Sequence, residues 1–245
     1  MAGWREAWTA TPKAAMANKL PSNTGLPESA FLGIAGMTGL TAYAGSLRVA
    51  ELKEGDIVFV SGAAGAVGSA VVQIAKIKGC TVIGSAGGPE KVALVKSLGA
   101  DDCIDYREAA NDDGLLAALR KAAPKGIDVY FDNVGGDHLQ AAIEVARPFA
   151  RMAICGMISQ YNDTTPAPGP NNVIQIVGKQ LQLRGFIVSS HTDLQPQFMK
   201  DIAGWIASGR MKSEETVLEG IENSPSAFIG LFHGQNKGKM LVKLT

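Results

Sequence analysis

Residues 56–68 read D-I-V-F-V-S-G-A-A-G-A-V-G, and this stretch decides the fold. Residues 56–61 are a short apolar run of the kind that forms a buried strand, residues 62–65 are a glycine-rich turn, and residues 66–78 carry small and apolar side chains at helical spacing. Strand, turn and helix in that order open a βαβ unit. Set against the phosphate-binding pattern G-x-G-x-x-G, Gly65 and Gly68 hold the second and third glycine places and Ala63 holds the first. Gly65 lets a pyrophosphate approach the backbone where the helix begins, and the free N–H groups and dipole of that first turn favour an anion. Gly68 lets the helix lie close on the sheet. A lone glycine pattern is equally a structural tight turn; the flanking strand, helix and second strand turn it into an expectation of nucleotide binding.

Outward from this unit the same alternation continues. Residues 81–85 (TVIGS) predict a second strand, followed by a helix from Pro89 to Leu98 that Gly99 ends. A short strand near residues 103–106, a helix over 114–123, a strand over 127–132 (IDVYFD) and a helix over 137–146 come next. Residues 151–156 (RMAICG) and 181–188 (LQLRGFIV) predict the fifth and sixth strands, with a helix near 195–208 beyond them. The fold class expected is therefore α/β, a doubly wound parallel sheet of about six strands. Residues 216–245 mix a turn, a short helix (SAFIGLF) and a final strand (KMLVKL). Residues 161–172 (YNDTTPAPGPNN) form a Pro-rich loop of a length that is often functional.

Composition narrows the classes. The 245 residues are 46% hydrophobic, which is ample for a core, and the 23 Lys+Arg balance 23 Asp+Glu, so the broad positive field that nucleic acid requires is missing. No apolar run reaches the roughly 18 residues of a membrane span and residues 1–13 lack a signal-peptide core, so a cytoplasmic location is expected. Cys80, Cys103 and Cys155 are far apart and outside any C-x-x-C spacing, and read as buried, inert thiols. His138, His191 and His233 have no ligand-spaced neighbours; they read as surface or loop imidazoles, with no metal site expected.

Cofactor choice is argued from the end of the second strand, where an NAD enzyme places an acid for the ribose hydroxyls. Gly84, Ser85, Ala86, Gly87 and Gly88 stand there instead. Nothing there repels a 2′-phosphate, and Ser85, Lys91 and Arg107 could welcome one, although Lys91 alone is more often a solvated helix residue, so the missing acid carries more weight. Catalysis leaves fewer traces. Tyr43, Tyr106, Tyr130 and Tyr161 are each followed four residues on by something other than Lys, which excludes the short-chain dehydrogenases, and no G-x-S-x-G elbow occurs.

With these residues in view, the chain resembles the medium-chain dehydrogenase/reductase superfamily, and within it the zinc-free group of leukotriene B4 dehydrogenases, prostaglandin reductases and curcumin reductases. The resemblance runs along essentially the whole chain and rests on G-M-T-G-L-T-A-Y (Gly36 to Tyr43), A-A-G-A-V-G-S (Ala63 to Ser69), Y-F-D-N-V-G-G (Tyr130 to Gly136), I-C-G-M-I-S-Q-Y-N (Ile154 to Asn162) and G-Q-N-K-G-K-M-L-V-K (Gly234 to Lys243). It implies NADPH-dependent reduction of the carbon–carbon double bond of an enone or enal, and commonly a homodimer formed through sheet edges, here residues 181–188. By the same resemblance Ala63, Ala64, Gly65, Ala66, Val67 and Gly68 would hold the pyrophosphate, and Lys91 and Tyr106 the 2′-phosphate end. Asn133 would contact the cofactor; Cys155, Gly156, Ile158, Ser159 and Tyr161 would line the ribose and nicotinamide. Phe186, Ile187 and Val188 would touch the nicotinamide, Asn236 would close over the cofactor, and Met37 and Thr41 would border the pocket. Read from the residues alone, Asn133 is also an ordinary strand-end turn residue, Tyr161 a loop anchor, and residues 186–188 sheet core.

The chain departs from the family in two respects. Members begin with a GroES-like, barrel domain of about 100 residues; here residues 1–26 resemble its last piece, residues 27–215 the NADP-binding domain and residues 216–245 the segment that returns to the barrel, as in a truncated chain. The tyrosine that some relatives use to steady an enolate has no counterpart near Ala167 or Gly178, so no catalytic side chain is named. Two readings compete with the reductase: an NADPH-binding module without turnover, and a quinone oxidoreductase.

Overall fold

The computed structural model describes residues 25–110 and 114–244, together with residues 4, 5, 7, 9–11, 13 and 19–21. Its centre is a six-stranded parallel sheet built from β1 (Ile57–Val60), β2 (Thr81–Ala86), β3 (Asp102–Asp105), β4 (Ile127–Asp132), β5 (Ala146–Ile154) and β6 (Gln182–Gly185). The order across the sheet is β3-β2-β1-β4-β5-β6, so the chain winds outward one way from β1 and then the other way from β4. That reversal opens a crevice at the carboxyl ends of β1 and β4.

Helices cover both faces because successive strand residues point to opposite sides. Val58, Val60, Val129 and Phe131 pack on one face with α1 (Met37–Ala44), α2 (Ala66–Ile77), α3 (Pro89–Ser97) and α8 (Gln195–Ala207). Phe59, Ile83, Tyr130 and Met152 pack on the other, against α5 (Gly114–Ala122) and α6 (Gly136–Val145). The remaining helices are α4 (Tyr106–Ala109), α7 (Ile174–Lys179) and α9 (Ser224–Phe232); α9 accompanies a small parallel pair, β7 (Glu215–Glu219) with β8 (Lys239–Lys243).

Several expectations shift. Strand β5 starts at Ala146, ahead of the expected Arg151, with a register break opposite β4 between Ile127 and Val129, and it stops before Cys155. Strand β6 ends at Gly185, so residues 186–188 leave the sheet. Helices α1 and α7 and strand β7 are additions, each short or weakly patterned in sequence. The reading of residues 1–26 as the end of a barrel domain lies largely outside the described residues; among those described, Trp4 packs edge-on against Phe228 at 6.0 Å.

His138 is a correction. It is buried on α6, its ring lies 6.4 Å from that of Phe59 at an interplanar angle of 8°, and its Nε2 is 2.9 Å from Ser85 Oγ. One face of α6 must meet the sheet, and His138 falls on that face; an isolated histidine carries no sequence signal of its helical phase. Burial pushes its imidazole down to about 4, against the opposing pull of Asp137.

The first turn of α2 rests on close approach. A methyl on Gly68 would collide with the Gly62 carbonyl and stand 2.8 Å from Ala63 Cα, whereas Gly204, exposed on α8, has open space around it. Gly68→Ala should lower the unfolding free energy by ~1–3 kcal/mol through overpacking. Gly204→Ala should raise it by ~1 kcal/mol through helix propensity. Urea denaturation of both variants tests the pair, and equal small effects would contradict the packing argument.

His138 adds a pH dependence. Because its folded pKa lies below the ordinary 6.5, the unfolded chain binds the extra proton first; the associated stability is complete above pH 6.5 and declines as the pH falls toward 4. The loss should be of order ~3 kcal/mol across that window. Replacing His138 by Gln should flatten this part of the stability profile. An imidazole titrating near 6.5 in the folded chain, by NMR, would remove the effect.

Candidate functional site

A cleft of about 1240 Å³ opens where the β1 and β4 ends diverge. Its floor is the turn after β1. Gly65 is the N-cap of α2 and has no side chain to cap the helix, so the positive end of the dipole faces the cleft, which Ala64, Gly65, Ala66, Val67 and Gly68 line. Ala63 does not line it: the residue is fully buried and its amide donates to the Ser85 carbonyl (2.9 Å), which fastens the turn to β2.

The wall from β4 depends on Asp132. Its Oδ1 accepts from the Tyr130 hydroxyl (2.7 Å), the Gly135 amide (2.7 Å), the Val134 amide (3.0 Å) and Ser61 Oγ (3.2 Å). Its carbonyl accepts from the Cys155 and Gly156 amides, both at 3.0 Å. Burial pushes the carboxyl upward and these hydrogen bonds only partly offset it. Asn133 lines the cleft as expected, while its Nδ2 donates to the Ser61 carbonyl (2.8 Å) and its amide to Ser61 Oγ (2.9 Å). Asn133 thus braces the glycine turn.

One end of the cleft is cationic. Lys91, Tyr106 and Arg107 line it, and burial together with the nearby charges of Arg107 and Lys237 pushes the Lys91 ammonium down. The C-terminal segment reaches this end: Arg107 Nη2 donates to the His233 carbonyl at 3.5 Å, Lys237 pairs with Glu90 at 2.7 Å, and the Gly238 amide donates to the Ala64 carbonyl at 2.8 Å. The space beside Gly87 is occupied, since a Cβ there would stand 2.6 Å from the Tyr106 hydroxyl and 2.9 Å from Arg107 Nε and would displace those side-chain ends. Ser85, expected to face a phosphate, is instead fully buried and turned toward His138.

At the other end Cys155, Gly156, Ile158, Ser159, Tyr161 and Asn236 all line the cleft. Ser159 Oγ donates to the Val134 carbonyl (2.6 Å), the Tyr161 hydroxyl accepts from the Met157 amide (3.3 Å), and Asn236 Nδ2 donates to the Gly238 carbonyl (2.8 Å). Cys155 is half-buried at the cleft rather than buried as expected from sequence, and desolvation pushes its thiol up to about 12, so it is a poor nucleophile. Cys80 and Cys103 are buried and pushed up to about 11 and about 12.

The structure does not bring Met37, Thr41, Phe186, Ile187 or Val188 into the lining of this cleft. Met37 and Ile187 are exposed, Thr41 Oγ1 donates to the Met37 carbonyl within its own helix (2.7 Å), and Val188 opens a separate 3-10 turn. Phe186 packs edge-on against Phe131 (6.2 Å) and His191 (6.0 Å). The residues that sequence reasoning missed are Ser61, Tyr130, Asp132, Gly87 and His138. Only Tyr130 and Asp132 carried a signal, as polar groups alternating in an otherwise apolar strand. Among the described residues no group of three or more His, Cys, Asp or Glu is placed to hold a metal ion.

The family model described as zinc-binding dehydrogenase matches residues 66–204. Prostaglandin reductase 1 of Bos taurus is 49% identical over 89% of this chain and 66% of its own length. The NADP(+)-dependent 2-alkenal reductase of Nicotiana tabacum is 41% identical over 100% of this chain and 70% of its own. Among solved structures, CurA from Vibrio vulnificus in complex with NADPH superposes with a TM-score of 0.84 and 42% identity, covering 90% of this chain and 67% of that one. The chain spans just under two thirds of the bovine protein. A family model matched over more than half of the chain, and relatives of this similarity, show that the chain belongs to the medium-chain dehydrogenase/reductase superfamily, in the zinc-free reductase group that includes the prostaglandin and 2-alkenal reductases.

Proposed function

We propose that this protein binds NADPH along the cleft and reduces the carbon–carbon double bond of α,β-unsaturated ketones or aldehydes. The observation that carries the reading is the pairing of a glycine turn with a cationic end that has no acid at the close of β2. The first turn of α2, from Gly65 to Gly68, would hold the pyrophosphate through backbone N–H groups and the helix dipole. Lys91, Arg107 and Tyr106 would receive the 2′-phosphate, a dianion that relieves the crowding of Lys91 by its cationic neighbours. Asn133, Cys155, Gly156, Ile158, Ser159, Tyr161 and Asn236 would border the ribose and nicotinamide. Bound NADPH would supply a hydride to the β-carbon of the substrate, the α-carbon taking a proton. The chain's contribution is to fix the position and orientation of the cofactor; no side chain is assigned to the proton transfer.

Residues 27–215 are read as the cofactor domain and residues 216–245 as the segment that closes on its cationic end and continues to a substrate-side wall. A cytoplasmic location fits three free thiols and the finding that no helix among the described residues is long and apolar enough to cross a membrane. A homodimer is read from β6, an outer strand of the sheet, with Ile187 exposed just beyond it and Ile174 and Val177 exposed on the adjoining α7.

Titration by nicotinamide fluorescence should give tighter binding of NADPH than of NADH. Lys91→Ala should weaken NADPH about tenfold, or ~1.4 kcal/mol, and leave NADH nearly unchanged. Equal weakening of both would remove Lys91 from the 2′-phosphate site. Adding an enone should then consume NADPH, with a quinone slower; binding without consumption would mark a cofactor-binding module, and faster quinone turnover a quinone oxidoreductase. Sedimentation velocity should give a dimer, and a monomer at tens of micromolar protein would set aside pairing through β6.

A further inference from the structure

His138 lies outside every residue assigned a role so far, yet its position is tightly determined. Its ring stacks on Phe59, its Nε2 is held 2.9 Å from Ser85 Oγ at the end of β2, and Tyr106 packs edge-on against it with centroids 5.5 Å apart at 79°. Tyr106 in turn fills the space where a side chain at Gly87 would go, its hydroxyl 2.6 Å from that point. Four residues therefore form a stack from the sheet to the cleft: Phe59, His138, Tyr106 and Gly87. We propose that His138 is a positioning residue for cofactor choice, holding Tyr106 against Gly87 so that this end of the cleft takes a 2′-phosphate in preference to free ribose hydroxyls.

The argument rests on the NADPH reading and deepens it. At the end of β2 an acid is the usual means of selecting NAD, and two features oppose one here. The Ser85 side chain is drawn inward to His138, and Gly87 is covered by Tyr106 and Arg107. Tyr106 keeps that place only while something fills the volume behind its ring, and among the described residues His138 fills it, fixed on its far side by Phe59 and at its edge by Ser85. Removing the imidazole leaves a void into which Tyr106 can turn, withdrawing its hydroxyl from Lys91 and Arg107. Asp137, beside His138 on the cleft wall, is the acid that would then face the ligand with less opposition.

The test uses adenosine 2′,5′-bisphosphate and 5′-AMP, which differ only in the 2′-phosphate, in calorimetric titrations of the 245-residue chain. The wild-type chain should prefer the bisphosphate. His138→Ala should weaken the bisphosphate about tenfold and 5′-AMP less than about twofold, while Ser85→Ala, which keeps the ring but frees it, should weaken the bisphosphate about threefold. A bisphosphate-to-AMP affinity ratio unchanged in both variants would overturn the proposal while leaving the NADPH reading intact, because the packing role would then be structural alone. A wild-type chain with no preference for the bisphosphate would overturn the NADPH reading and this inference with it. If His138→Ala does not fold, Ser85→Ala decides, since it removes one hydroxyl and leaves the imidazole ring in the core.

Discussion

The walls of the cleft are tied together at one carboxyl group. Asp132 closes β4 at the point where the sheet reverses direction, and its two polar ends reach three separate loops. Oδ1 gathers Tyr130, Ser61 and the 134–135 amides, while the carbonyl takes the amides of Cys155 and Gly156. Through Ser61 the glycine turn after β1 is included as well, because Asn133 donates to both polar atoms of that residue. Hydrogen bonds to a charged acceptor are each worth ~1.5–3 kcal/mol, yet the net shift of this carboxyl is upward, so desolvation outweighs four donors. The same burial makes the arrangement stiff. Donors from three loops converge on this one residue, which is why irregular backbone on each side can hold a common geometry.

The cationic end is organised by packing rather than by hydrogen bonding to a single hub. The Ala63 amide fastens the turn to the Ser85 carbonyl, so that serine serves two elements: its backbone holds the glycine turn and its hydroxyl holds His138. Asp105 caps α4 by accepting from the Arg107 amide at 3.0 Å, and it accepts from the Gly88 amide at 3.0 Å as well. An acid that lies close to the cationic end is thus engaged with backbone donors from two elements.

How much of this was legible in the sequence depends on the range of the interaction involved. The strand over 127–132 and the helices after Gly65 and Pro89 follow from local period and punctuation, and the structure has them within a residue or two. The sixth strand was read too long because an apolar run looks alike inside and outside a sheet; past the strand end Phe186 is half-buried against Phe131 and His191, its amide alone still reaching the Ile154 carbonyl at 3.3 Å. Most of the residues named for the site fall in the lining of the cleft, because motif and turn chemistry are local. Ser85 was assigned the wrong direction, since strand position fixes alternation but not which face carries the partner, and that partner is 53 residues away. His138 was lost for the same reason, and Gly87 because a close approach from Tyr106 leaves no trace at the glycine itself.

The C-terminal segment explains why the cationic end can exist in the free protein. Lys91, Arg107 and Lys237 lie close together there, and burial of Lys91, with the charges of the other two beside it, pushes its ammonium down. Glu90 draws Lys237 aside at 2.7 Å, and the His233 carbonyl supplies a dipole to Arg107. Both contacts are exposed, so neither cancels the field; they set the positions of the cations more than their energies. The segment that provides them is itself fastened to the glycine turn through the Gly238 amide and the Ala64 carbonyl. The glycine turn and the cationic end are therefore joined by direct contacts through residues 233–238.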